Sequence, residues 1–222
     1  ALLFCAFLLV SSGVLPVAWA EDSAEFTSGE YTCALLPDGS AEIVRHTGNE
    51  KSLVIPASLD GHTVTSIGDC AFENGKGIQS ITIPDSIVTV GINPFASCND
   101  LENLIVSEQH STLAVVDGVL FSKPDARLVC FPAALFTNFY TVPAGTKEIG
   151  ERAFFNSKHL VTVTIPESVS RIGESAFSVC PYLEKAFLSD GVAEIGDYAF
   201  HLCENLQSVK LPGSVTAIGR YA

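Results

Sequence analysis

The chain has 222 residues, with 25 Asp and Glu against 12 Lys and Arg and a formal net charge of −13. So acidic a chain lacks the basic patch that phosphate backbones require, so no nucleic-acid partner is expected; the charge reads as solubility. At 47% hydrophobic residues it can bury a sizeable core.

Residues 1–20 carry no charged side chain. An apolar run from Leu2 to Val10 is loosened by Ser12, Gly13 and Pro16, and Ala18-Trp19-Ala20 before Glu21 has the small-x-small form of a signal-peptidase site. A transmembrane anchor is the competing reading, but about fifteen apolar residues fall short of the ~20 that a span needs. The segment is therefore expected to be a signal peptide, truncated because it has neither Met nor a basic start. No second long apolar run follows, so the mature chain is expected to be secreted or at the cell surface, with no membrane span.

Residues 21–55 are predicted to form an N-terminal β-hairpin cap. Residues 26–36 and 40–45 read as two strands around Pro37-Asp38-Gly39, positioned to cover the open edge of whatever follows. Residues 60–64, beginning Asp60-Gly61, read as a short surface loop.

From residue 56 to 222 a repeat governs the chain. Ile or Val followed by Gly recurs at Gly68, Gly91, Gly150, Gly173, Gly196 and Gly219, in steps of 23, 59, 23, 23 and 23 residues. Phe72, Phe95, Phe154, Phe177 and Phe200 follow the first five glycines at constant offset. The copy at residues 160–182 shows the whole unit. Val161-Thr162-Val163-Thr164-Ile165 alternates like a half-buried strand. Pro166 should end that strand, as should Pro56, Pro84, Pro143 and Pro212. Residues 169–172 predict a second extended piece, Gly173 a sharp or positive-φ turn, and Ala176-Phe177 the closure of the coil. One such unit cannot bury its apolar side alone, so units should stack at about 4.8 Å per coil around one shared column of Ile, Val, Leu and Phe. The expected fold is a right-handed, mainly β repeat solenoid, with Phe154, Phe177 and Phe200 one above another.

The long step leaves an irregular insert at about residues 107–142. Residues 115–121 and 127–131 flank Lys123-Pro124-Asp125, a second hairpin signal. Phe136, Phe139 and Tyr140 follow; either these aromatics pack the insert onto the core, or the stretch from Leu135 to Phe139 is a loop of functional interest. The last copy stops at Ala222, one residue before its Phe. The chain is thus expected to be truncated inside a repeat, with an uncovered strand edge prone to association.

Cys98, Cys180 and Cys203 recur three residues after Phe. Stacked side chains run parallel, which favours buried thiols over disulfides there; the states of Cys33, Cys70 and Cys130 stay open. No catalytic motif, P-loop or dinucleotide fingerprint occurs, and the five His show no metal-ligand spacing. No cofactor and no enzyme activity are expected. Strand alternation nominates a concave partner-binding face: Ser80, Thr82, Asn103, Ile105, Thr162, Thr164, Lys185, Phe187, Ser208 and Lys210. Ile105 and Phe187 stand out as apolar residues within a polar stripe.

With these residues in view, the unit resembles the BspA-like, treponemal-type leucine-rich-repeat family in its Ile-Pro, Ile-Gly, Ala-Phe and Cys landmarks. The likeness runs from about residue 30 to 222 and includes Asp38–Ile43 and Asp117–Phe121. Pro94 in place of Ala, and Ser189-Asp190 in place of Pro, are the departures. The resemblance implies an exported or surface protein of a bacterium, with relatives in some parasitic protists, whose assigned roles concern adhesion to host proteins or other cells. The expected function is a non-catalytic protein-binding or adhesion module whose partner is an extracellular or host protein. The alternative is a passive spacer or display scaffold for a missing C-terminal domain.

Overall fold

The computed structural model describes residues 24–222, so the expected signal segment at residues 1–20 lies outside the described residues. Twenty short β-strands and, among the described residues, no helix wind into a solenoid. Each regular coil contributes one strand to each of two sides. On the longer-strand side, β4 (Ser52–Val54), β7 (Ser80–Thr82) and β9 (Asn103–Ile105) pair in parallel. Further along, β13 (Phe139–Thr141), β15 (Thr162–Ile165), β17 (Lys185–Leu188) and β19 (Ser208–Lys210) do the same. The register between regular coils is one period, as in Thr162↔Lys185↔Ser208. The β4 rung lies inside the segment expected to be cap.

The prolines stop these strands as expected. Val169 N–H donates to Pro166 C=O at 3.1 Å, closing a tight turn towards the other side. There the strands are only two residues long: β8 (Thr89–Val90), β14 (Glu148–Ile149), β16 (Arg171–Ile172), β18 (Glu194–Ile195) and β20 (Ala217–Ile218). The second extended piece of the coil is thus shorter than residues 169–172 suggested. Charges alternate along this side, because Arg127, Glu148, Arg171 and Glu194 are register partners. Arg171 bonds Glu148 and reaches Glu151 at 3.3 Å. Such half-exposed pairs contribute a few tenths to about 1 kcal/mol each.

The phenylalanines form the predicted column. Ring centroids of Phe154 and Phe177 are 4.6 Å apart; those of Phe177 and Phe200 are 5.1 Å apart, with the rings stacked almost parallel, at 2°. The closing turns after Phe95, Phe154, Phe177 and Phe200 also carry a thiol or hydroxyl, whereas the one after Phe72 has Gly75. Cys98, Cys180 and Cys203 donate to the carbonyls of Phe72, Phe154 and Phe177, one coil back, at 3.0–3.1 Å. All six cysteines of the described residues are free. The recurring three are hydrogen-bond donors between coils as well as small packing groups.

The repeat glycine has a different role from the one expected. None of Gly68, Gly91, Gly150, Gly173, Gly196 or Gly219 has positive φ. A Cβ on Gly173 would instead lie 2.6 Å from Glu151 N and 2.8 Å from Gly150 C, so the glycines let neighbouring backbones touch. The left-handed positions fall two and six residues later, at Ser175 (φ 53°) and Val179 (φ 60°) in one coil.

Both irregular regions are three-stranded meanders rather than the single hairpins predicted. At the N-terminus, β1 (Glu25–Ser28), β2 (Tyr31–Leu35) and β3 (Ala41–His46) run antiparallel, because Gly29-Glu30 makes a further turn inside the segment read as one strand. In the insert, β10 (Leu113–Val116), β11 (Val119–Ser122) and β12 (Arg127–Cys130) repeat that topology. Asp117 (φ 50°) and Gly118 (φ 81°) make a tight hairpin turn there. Asp60-Gly61 likewise joins β5 (Ser58–Leu59) to β6 (His62–Ile67) as a hairpin, so residues 62–64 belong to a strand and not to a loop.

The insert also divides the core, which is not the one continuous column expected. One cluster holds Ile43, Phe72, Ile81 and Phe95; the other holds Phe154, Val163, Phe177 and Ile195. The meander is the wall between them. Leu120, Val129 and Cys130 face the first cluster, whereas Val119, Phe121 and Leu128 face the second. β9 and β13 do not pair, so the longer-strand side is two sheets.

Candidate functional site

Alternation along the longer strands buries Ile81, Leu104, Val163 and Ala186 and turns their neighbours outward. All ten residues nominated for the partner face occupy outward positions. Ser80, Thr82, Asn103 and Ile105 lie on the β4-β7-β9 sheet. Thr162, Thr164, Lys185, Phe187, Ser208 and Lys210 lie on the β13-β15-β17-β19 sheet. They therefore form two stripes rather than one.

Register sets their neighbours. Val54, Thr82 and Ile105 are directly adjacent in the first sheet, and Thr141, Thr164, Phe187 and Lys210 in the second. Ile105 is 49% exposed and Phe187 53%. Val54 and Phe139 are exposed outward residues that the nominations lacked. Val54 was hidden because its rung falls before Pro56, in the segment read as cap. Phe139 is 72% exposed and Phe136 more so, which settles their packing against the alternative of core contact; only Leu135 and Tyr140 of that stretch pack inward. Phe136 rests on the His159 ring at 5.1 Å between centroids.

The electrostatics of this surface differ from those of the whole chain. None of the outward residues on these seven strands is acidic, and Lys185 and Lys210 are both basic. The acidic surplus lies elsewhere. Beside the last rungs, an open depression of about 560 Å³ runs between Pro166, Leu188, Asp190 and Pro212, with Lys210 at its rim. Its departure from the repeat, Ser189, donates through Oγ to Ile165 C=O at 2.7 Å and so adds a link between coils that proline, which has no donor, cannot make. The Cys203 thiol bonds the Phe177 carbonyl and is not paired with His201.

Six copies of the BspA type leucine-rich repeat region match the sequence, over residues 45–121 and 128–222. The chain belongs to the BspA-type leucine-rich-repeat family. Such repeats are generally non-catalytic scaffolds for protein interaction. No curated protein matches the chain. Among solved structures, it is similar to a leucine-rich cell surface protein from Faecalibacterium prausnitzii, at 18% identity and TM-score 0.50, over 92% of this chain and 96% of that one. It is also similar to the pneumococcal vaccine antigen PcpA, at 17% identity and TM-score 0.53, over 90% and 78%. A T. pallidum leucine-rich-repeat protein aligns at 27% identity and TM-score 0.52, over 88% and 86%. Among the described residues no helix is long and apolar enough to cross a membrane.

Proposed function

We propose that the chain is a non-catalytic protein-binding module that works outside the cell, as an adhesive or capture surface for an extracellular or host protein. The observation that carries this reading is the composition of the longer-strand face. Hydroxyl and amide side chains on rigid, parallel rungs surround a few exposed apolar residues, Val54, Ile105, Phe139 and Phe187. Large apolar groups ringed by small polar ones supply binding energy at protein interfaces. The preorganised backbone means little ordering entropy is lost on binding. Two lysines and no carboxylate on that face favour a neutral or acidic partner surface. The apolar runs of residues 1–20 and the cell-surface relative support export.

An array of purified extracellular and host-surface proteins, probed with the folded chain and with the Ile105→Ser/Phe187→Ala double variant, tests the reading. Hits that weaken at least tenfold in the variant are expected, since two apolar anchors costing more than about 1 kcal/mol each are worth about 2 kcal/mol or more together. Equal binding by both forms to every hit would dismiss the longer-strand face as the docking surface.

A further inference from the structure

The first meander holds a group of polar side chains that binding along the strands does not use. His46 closes β3, Glu30 sits in the β1–β2 turn, and Glu50 lies four residues beyond His46. His46 occupies the place that Phe131 takes in the second meander. His46 N–H donates to Ala71 C=O at 2.8 Å, and Phe131 N–H donates to Ala153 C=O at 2.7 Å. The imidazole accordingly heads the aromatic column, with centroids 4.7 Å from Tyr31 and 5.1 Å from Phe72.

Phenylalanine would satisfy that packing, so the nitrogens need another reason. The His46 side chain is 1% exposed, and its Nε2 is buried with no hydrogen-bond partner. A buried polar atom left unpaired is costly and calls for an explanation. Nε2 points at two carboxylate oxygens, Glu50 Oε2 at 3.6 Å and Glu30 Oε2 at 3.9 Å, both too far to be hydrogen-bonded. The three potential ligand atoms all lie within 4.8 Å of one another. Gly48 stands at their point of convergence, where a Cβ would collide with both carboxylates and with the ring edge of His46. Only glycine leaves that space open.

We propose that Glu30, His46 and Glu50 form a site for a divalent transition-metal ion of the zinc type, with water completing its coordination on the exposed side. One imidazole and two carboxylates are a ligand set suited to such an ion, whereas the buried nitrogen disfavours calcium and magnesium, which select oxygen. Around zinc, with bonds near 2.0 Å, tetrahedral ligand atoms stand about 3.3 Å apart, so the nitrogen-to-oxygen separations of 3.6 and 3.9 Å need contract by about 0.3 to 0.6 Å. The glutamates are about half exposed and free to make that adjustment. The ligand atoms of two carboxylates and a buried imidazole so close together make a group that a cation would join. The ion would tie the β1–β2 turn to the segment after β3 and so fasten the cap to the first coil.

The experiment is a titration of the full chain with zinc chloride, followed by calorimetry and by thermal unfolding, beside His46→Phe and Glu30→Gln. One saturable site and a zinc-dependent rise in unfolding temperature are expected for the natural chain, with neither effect from calcium or magnesium. His46→Phe restores the side chain that the column carries elsewhere, so it should fold with unreduced stability in the absence of metal yet lose the site. Glu30→Gln should weaken zinc binding by at least tenfold. The proposal is overturned by absence of saturable binding to the natural chain, or by His46→Phe and the natural chain binding zinc alike.

Discussion

The two meanders have the same topology but different surroundings. β1–β3 covers the first coil and has one packed side; β10–β12 stands between two cores and is packed on both. Ile43 and Leu128 hold equivalent positions, pairing in parallel with Ile67 and Ile149. His46 and Phe131 then start the aromatic columns of the two blocks. The meander is thus a starter unit, a turn-rich piece that begins each of the two blocks of coils. At the N-terminus it also shields an edge, and in the middle it seals two blocks against each other.

The largest test of this comparison is within the shared wall. Leu120→Ala and Leu128→Ala each remove a fully buried side chain, on opposite faces, and each is expected to cost about 2–5 kcal/mol. Amide hydrogen exchange should show Leu120→Ala loosening Ile81 first and Leu128→Ala loosening Val163 first. Protection lost uniformly in both blocks by either substitution would mean that there is one core after all.

A smaller effect is expected at the seam. The Arg127 guanidinium donates to Val90 C=O at 3.1 Å, capping the end of the β8 edge with a side chain from the second meander. Its counterpart in the first meander, Glu42, has no second block to reach and accepts from Ser66 Oγ at 2.6 Å. Arg127→Leu should lower stability by about 1–3 kcal/mol, since it leaves buried carbonyls unpaired. Glu42→Leu should cost less. Urea denaturation of the pair checks the order, and an equal loss in both would remove the special role of the seam.

The smallest effect is one of pH. Burial pushes the Cys33 thiol of the first meander from 9.0 up to about 11, and raises Cys130 of the second still further. A thiol whose pKa is raised on folding stabilises the folded state below its unfolded pKa, and that contribution is lost as pH rises towards the folded value. Stability should therefore fall from about pH 9 through both thiols, the loss through Cys33 ending near pH 11 and that through Cys130 continuing beyond it. Ellman's reagent should modify Cys33 before Cys130 as pH is raised. The reverse order would show the inner meander to be the more open of the two.

Much of this architecture is visible in the residues. The 23-residue step, the alternation at residues 161–165 and the constant offset from Gly173 to Phe177 are local patterns, and each maps onto the coil where it was expected. The outward positions of Thr164 and Phe187 follow from the same alternation. Turns inside the irregular regions were harder to see. Gly29-Glu30 and Asp117-Gly118 each interrupt a run of strand-forming residues, and their signal was overshadowed by the stronger Pro-Asp-Gly and Lys-Pro-Asp sequences nearby. The glutamates near His46 escaped notice because spacing finds only ligands that share an element, and Glu30 arrives from the separate β1–β2 turn.

By itself the sequence determined the repeat, its strand phase and the residues that make up the aromatic column, because those depend on periods of two and of twenty-three that a chain carries wherever it folds. Only the tertiary structure decided that the glycines serve contact between backbones, that the insert splits the core, and that a histidine replaces phenylalanine beside two carboxylates. Those outcomes depend on which coils touch, and contact between segments remote along the chain leaves no period to be recognised.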